Sequence, residues 1–240
     1  RMALMKLEAM GCEIITGKDF ITVSRSEPLR AVDIQTLPHP GFPTDLQAQF
    51  MLLTSLAEGP SVITENVFEN RFMFAAELSR MGADITLKPT GSAGEEPCGT
   101  ISVSYVEHLR SCEVVGREIA SLVDEIPVLA LVAAHAEGTT VFHEVGELRV
   151  KETDRLAAIL EGLSKLGVHA WPEGDDLHIE GKPGLVVPEG LVFDSLGDHR
   201  LAMTWSLVGF TGAHPVSIRD FEAVRVSYPG FRADIERLAK

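Results

Sequence analysis

Cysteine is scarce in this chain: three residues in 240, at Cys12, Cys98 and Cys112. They are far apart, odd in number and without metal-ligand spacing, so they build no disulfide framework, and the pattern suits a reducing cytoplasm. The eight histidines show no metal pattern either. Long hydrophobic runs are also missing, since nothing approaches the roughly 20 apolar residues that cross a membrane. The opening RMALMKLEAMG carries Lys6 and Glu8 where a secretory signal would be continuously apolar. It also starts in mid-helix by its pattern, without an N-cap, which predicts that the chain is a piece of something longer. Positive charge is sparse, with 21 Lys and Arg against 35 Asp and Glu and a formal net charge of −14. That balance disfavours general phosphate-backbone binding, so nucleic acid is not an expected partner. Any anionic ligand must be caught by a local basic island.

What is present is ordinary globular composition, 45% hydrophobic and 23% charged, and enough length for one large domain or two small ones. Three apolar segments align once each is anchored on an aspartate: DLQAQFMLLTSLAEG from Asp45, DEIPVLALVAAHAEG from Asp124 and DHRLAMTWSLVGFTG from Asp198. A glycine follows each anchor by fourteen residues, at Gly59, Gly138 and Gly212. The anchors lie 79 residues apart (45 to 124) and 74 apart (124 to 198), the signature of one supersecondary unit used several times. Each segment reads as a helix with Asp at or beside its N-cap and Gly at its end. A helix apolar nearly all round belongs in the interior.

A short strand follows each buried helix: 61–65, 139–144 and 215–220. Then comes a more amphipathic helix, over 72–82 and 154–167, and then strands at 83–87 and within 168–180. The first 33 residues repeat that tail half, and the last 50 begin another copy. The chain therefore reads as one domain of repeated units, at 1–33 (partial), 34–100, 101–190 and 191–240 (partial). By Pro and Gly content, 88–98 and 182–190 are the expected linkers.

Polar groups recur at matching helix starts: Thr44–Asp45, Asp124–Glu125 and Asp198–His199–Arg200. Second clusters fall 24 to 31 residues after each anchor: Glu69–Asn70–Arg71, Lys151–Glu152–Arg155, and Arg225. If the units pack about a common axis, these helix N-termini converge. Free N–H donors and a partial positive charge there favour anions, and arginines add the bidentate geometry that carboxylate and phosphate prefer. Taken alone, a lone Asp is an N-cap, and KETDR is a capping cluster with Glu152–Arg155 and Lys151–Arg155 pairs. Recurrence at equivalent points of the repeat turns the reading towards a site for a small, strongly anionic ligand.

The residues resemble the enolpyruvyl transferases. From about 100 to 240, LVDEIPVLALVAAHAEGTT, ELRVKETDRLAAI, DSLGDHRLAM and VSYPGF are similar, in order, to the branch that acts on shikimate 3-phosphate. Residues 1–88, through LPHPGFPTDLQAQFMLLTSLAEG and ITENVFENRFMFAAELSRMGADI, look like the UDP-N-acetylglucosamine branch. The resemblance implies an α/β fold, an inside-out α/β barrel with a pseudo-threefold repeat of βαβαββ units and buried helices. It also implies a second domain, which has no counterpart in this chain, and an active site between the two. The implied reaction moves the enolpyruvyl group of phosphoenolpyruvate to a shikimate 3-phosphate hydroxyl and releases phosphate, a step of aromatic amino acid biosynthesis. The alternatives are the UDP-sugar reaction of peptidoglycan synthesis or a non-catalytic isolated domain.

By the same resemblance, Asp124 contacts the acceptor hydroxyl and Glu152 is the acid/base near C3. Arg155 and Arg200 clamp phosphoenolpyruvate, Lys151 binds substrate and Asp198 orients its neighbours. Asp45 and Thr44 match catalytic and sugar-binding positions of the UDP-sugar branch, and Arg71 a site arginine. Val226 stands where the shikimate branch often has a lysine, with Arg225 just before it. No metal or organic cofactor is implied.

Overall fold

Helices without a polar face need an interior, and here they have one. In a computed structural model, described over residues 2–16, 21–24, 27–37, 41–42, 46–65, 72–93, 96–211 and 214–227, the chain begins with α1 (Met2–Ala9), β1 (Glu13–Thr16), β2 (Ile21–Ser24), β3 (Ile34–Gln35), α2 (Gln47–Ser55), β4 (Ser61–Glu65), α3 (Phe72–Arg80), β5 (Asp84–Ala93) and β6 (Glu96–Ser104). There follow β7 (Glu113–Val114), α4 (Gly116–Leu122), α5 (Ile126–His135), β8 (Thr139–Phe142), a 3-10 helix (Val145–Val150), α6 (Arg155–Lys165), β9 (His169–Glu173) and β10 (Asp176–Glu180). The last described elements are β11 (Val192–Asp194), α7 (His199–Thr211), β12 (Ser217–Arg219) and a second 3-10 helix (Phe221–Val226). Of the three anchors, Asp45 lies outside the described residues, as does Gly212.

The three apolar helices α2, α5 and α7 touch one another. Every residue of α2 is buried, as is α5 from Ile126 to Ala134. Each fully buried Leu, Ile or Val there contributes roughly 1.5–3 kcal/mol relative to exposure. The sheets cover this core. One has the order β3-β4-β6-β5 and another β7-β8-β10-β9, each with its first pair parallel and the rest antiparallel. Burial alternates along β4 and β10, as a sheet with one face on helices and the other towards water requires. A parallel pair β11-β12 and an antiparallel pair β1-β2 come from opposite ends of the chain. Because β2 lies against β12 and α7, the two pairs stand side by side and repeat the same strand order. Among the described residues the strands form separate sheets rather than one closed barrel, and no helix is long and apolar enough to cross a membrane.

One linker expectation is corrected. Residues 88–93 and 96–98 belong to the long antiparallel pair β5-β6, whose register shifts between Pro89 and Gly91. Pro and Gly there mark a bulge, which interrupts a ladder without ending it. Residues 182–190 do run without a helix or strand. Two glycines are fixed by their surroundings. Gly138 has φ +95, and a Cβ there would lie 2.5 Å from Ser111 Oγ. On α6, a Cβ at Gly162 would lie 2.3 Å from the Trp205 ring, so its absence lets α6 close on α7.

Candidate active site

The sequence places charge at the mouths of α5, α6 and α7 in three local ways. Before α7, two left-handed residues, Leu196 (φ 53) and Gly197 (φ 76), turn the chain so that Asp198 meets the helix end. Its Oδ1 accepts from Arg200 N at 2.7 Å and Leu201 N at 3.4 Å. Before α5 the N-cap is Glu125, but its side chain makes no capping bond. Before α6, a left-handed Glu144 (φ 58) starts the first 3-10 helix, which ends at an extended Lys151. Asp154 then caps α6, accepting from Ala157 N at 2.9 Å.

These mouths meet at one guanidinium. Arg155, with a side chain only 1% exposed, donates through Nε to Asp198 Oδ2 (2.6 Å), through Nη1 to Asp124 Oδ1 (2.9 Å) and through Nη2 to Glu152 Oε2 (2.7 Å). Arg200 joins the same cluster, its Nη2 at 3.0 Å from Asp124 Oδ2 and its Nη1 at 3.4 Å from Glu125 Oε1. The Lys151 ammonium donates to Glu147. A charge so deeply buried persists only when paired and hydrogen-bonded, and removing one partner of such a pair typically costs about 3–5 kcal/mol.

Burial by itself raises the pKa of Asp124, but Arg200, Arg155 and Lys151 outweigh it and hold the carboxyl below its ordinary value. Burial likewise works against the charge on Arg155, yet Asp198, Asp124 and Glu152 raise its pKa further. His199 is held below the ordinary imidazole value, first by burial and then by Arg200. The site is thus a set of fixed charges around a partly exposed carboxylate, with donors oriented before any ligand arrives. Among the described residues no group of three or more His, Cys, Asp or Glu is arranged to hold a metal ion.

A family model described as EPSP synthase (3-phosphoshikimate 1-carboxyvinyltransferase) matches residues 1–107 and 94–235. The chain belongs to the EPSP synthase family. Among named members of that family, the 3-phosphoshikimate 1-carboxyvinyltransferase of Bacillus cereus (strain G9842) is 35% identical over 238 residues, covering 98% of this chain and 53% of the relative. The enzyme of the same name from Chloroflexus aurantiacus (strain ATCC 29366 / DSM 635 / J-10-fl) is 37% identical over 94% of this chain and 51% of its own length. Among solved structures, an EPSP synthase from Acinetobacter baumannii superposes with a TM-score of 0.71 at 28% identity, over 97% of this chain and 52% of that one. The chain spans about half the length of the curated relatives it matches.

Of the residues expected from sequence, Asp124, Glu152, Arg155, Asp198 and Arg200 come together directly, and Lys151 acts on Asp124 through its charge. Arg225 does not join them: it is exposed and pairs with Glu222 one turn back, at 2.7 Å. Thr44, Asp45 and Arg71 lie outside the described residues. Two members of this cluster, Glu125 and His199, appear in the sequence only as polar neighbours of an anchor aspartate, with no role expected of them. At the described end of α2, Gln47 holds the place in the repeat that Arg200 holds in α7. It is fully buried, and neither amide atom has a hydrogen-bond partner among the described residues.

Proposed function

We propose that this chain supplies one half of an enolpyruvyl transfer site, for the reaction between phosphoenolpyruvate and the shikimate 3-phosphate hydroxyl. The observation that carries this reading is the convergence of Asp124, Glu152, Arg155 and Arg200 at three helix mouths. Arg155, Arg200 and Lys151 are cations suited to the phosphate and carboxylate of phosphoenolpyruvate. Asp124 is kept ionised by its arginines and is suited to receive the acceptor hydroxyl's hydrogen bond. As the hydroxyl oxygen passes its proton to Asp124 and bonds to C2, Glu152 delivers a proton to C3, giving a tetrahedral adduct. Loss of phosphate from C2 and of a proton from C3 then restores the double bond in the transferred group. Proton transfer at carbon is the demanding step, so the acid near C3 has the largest share of the catalysis. Shikimate 3-phosphate is favoured as acceptor because the EPSP synthase description covers both halves of the chain and named relatives carry it. A cytoplasmic setting suits such a reaction.

A half site lacks the positioning that supplies much of an enzyme's rate. The 240-residue chain alone is therefore expected to release no phosphate in a steady-state assay with either acceptor. Joined to the remaining half of the family fold it should turn over, and Glu152→Gln or Arg200→Ala should each cut that turnover at least ~100-fold. Family-like turnover by the chain alone, or wild-type rates in both variants, would refute the reading.

A further inference from the structure

The three carboxylates on Arg155 are not equally able to let go. Asp198 is fully buried, and its other oxygen accepts from two backbone N–H groups of α7. Asp124 is shared with Arg200, so its withdrawal uncovers two guanidinium groups at once. Glu152 is different. Its side chain is 53% exposed, its hydrogen bond is to Arg155 Nη2 at 2.7 Å, and it stands on the irregular segment between the first 3-10 helix and α6. It can swing away without breaking a helix cap or uncovering a second cation.

Charge balance gives it a reason to move. Five carboxylates (Asp124, Glu125, Glu147, Glu152, Asp198) surround three cations (Lys151, Arg155, Arg200). An incoming anion with two or three charges meets a surplus of its own sign unless one carboxylate gives way. We infer that Glu152 is a displaceable stand-in for the ligand: in the free chain its carboxylate occupies Nη2 of Arg155, and an entering phosphate or carboxylate group takes that place and turns Glu152 towards the bound molecule. The exchange swaps one charge-assisted hydrogen bond for another and makes or breaks no covalent bond. It ties release of the acid to arrival of the anion, so an empty site keeps its acid parked. It also separates two effects that usually go together, because losing the Glu152 charge should lower turnover and yet strengthen anion binding. The inference rests on the reading of this cluster as a phosphoenolpyruvate site.

The test is a calorimetric titration of phosphoenolpyruvate into the 240-residue chain and its Glu152→Gln and Arg200→Lys variants, each first checked for native near-ultraviolet dichroism. Glu152→Gln should bind about three- to tenfold more tightly than the parent, the scale of losing a half-exposed competing ion pair. Arg200→Lys should bind more weakly, because a point charge does not replace the fork. If Glu152→Gln binds equally or more weakly while Arg200→Lys still loses affinity, the displacement is overturned and the anion site stands. If Arg200→Lys binds like the parent, or neither the parent nor Glu152→Gln shows saturable binding, the anion site falls and the displacement with it.

Discussion

Asp198 is fully buried, caps α7 with one oxygen and holds Arg155 with the other. Seventy-four residues earlier, at the same point of the repeat, Asp124 is 43% exposed, caps nothing and faces two arginines. The next residues explain the divergence. After Asp198 come His199 and Arg200, whose chain has an N–H at each position of the first turn, so a capping acceptor is needed there. After Asp124 come Glu125, Ile126 and Pro127, and the proline has no N–H to cap. With one orphan donor removed by sequence, the α5 mouth can direct its aspartate to the arginines and to whatever binds them. A duplicated position thus carries structure in one copy and is released for chemistry in the other.

The sharpest way to break that comparison is to remove each carboxylate. Asp198→Ala takes away a buried partner of Arg155 and a helix cap, and should cost about 3–5 kcal/mol in urea unfolding. Asp198→Asn keeps the capping oxygen and should lose less. Asp124→Asn, at a partly exposed site whose arginines keep other partners, should cost about 1 kcal/mol. Equal losses for Asp198→Ala and Asp124→Asn would mean that the two copies are not divided in this way.

A middle-sized effect comes from titrating Asp124. Its pKa is lower in the folded chain than in the unfolded one, so its stabilising contribution is present above the unfolded value, about 3.9, and is lost as pH falls through the folded value. The difference in unfolding free energy between the parent and Asp124→Asn should be flat from pH 7 to about 5 and shrink below about 4. Subtracting the variant removes contributions shared by both proteins, including that of His199. For His199 the folded pKa is also depressed, so its contribution is present above about 6.5 and is lost as pH falls through the folded value. A difference that shrinks already between pH 7 and 5 would assign the titration to another group.

How much of this was legible beforehand depended on whether a signal was local. The buried helices could be read because Asp45 to Gly59 and Asp124 to Gly138 bracket unbroken apolar runs. The strands β3, β7 and β11 could not, because two or three residues carry no period. The 3-10 helices were missed because the residues just before them, Glu144 and Asp220, adopt left-handed φ without being glycine. Helix α4 gave no signal that set it apart from the apolar run leading into α5. At the site, Arg155 was named from its own motif, but its saturation was not foreseeable. Its partners Asp124 and Asp198 are 31 and 43 residues away, and only the packing of α5, α6 and α7 brings them to one guanidinium. Glu125 was named at its helix start but given no role for a related reason: a glutamate before a helix reads as a cap, and only the fold reveals that its carboxylate is on Arg200.

The smallest expected effect sharpens the comparison between the two 3-10 helices. Each follows a strand, is preceded by a left-handed acidic residue and leads to a cation, Lys151 after the first and Arg225 within the second. Lys151 helps to hold Asp124 ionised, whereas Arg225 is 57% exposed and pairs with Glu222. An exposed i,i+3 pair is worth little, so Arg225→Ala should change unfolding free energy by no more than about 0.5 kcal/mol. Phosphoenolpyruvate binding by the 240-residue chain should also stay within twofold of the parent, since the anion would meet Arg155, Arg200 and Lys151 without it. Lys151→Ala should weaken the same titration severalfold, because it removes a cation whose field reaches Asp124. A loss in Arg225→Ala as large as that in Lys151→Ala would show that the third repeat contributes its second mouth to the site as the second repeat does. The asymmetry between copies would then be confined to the aspartates.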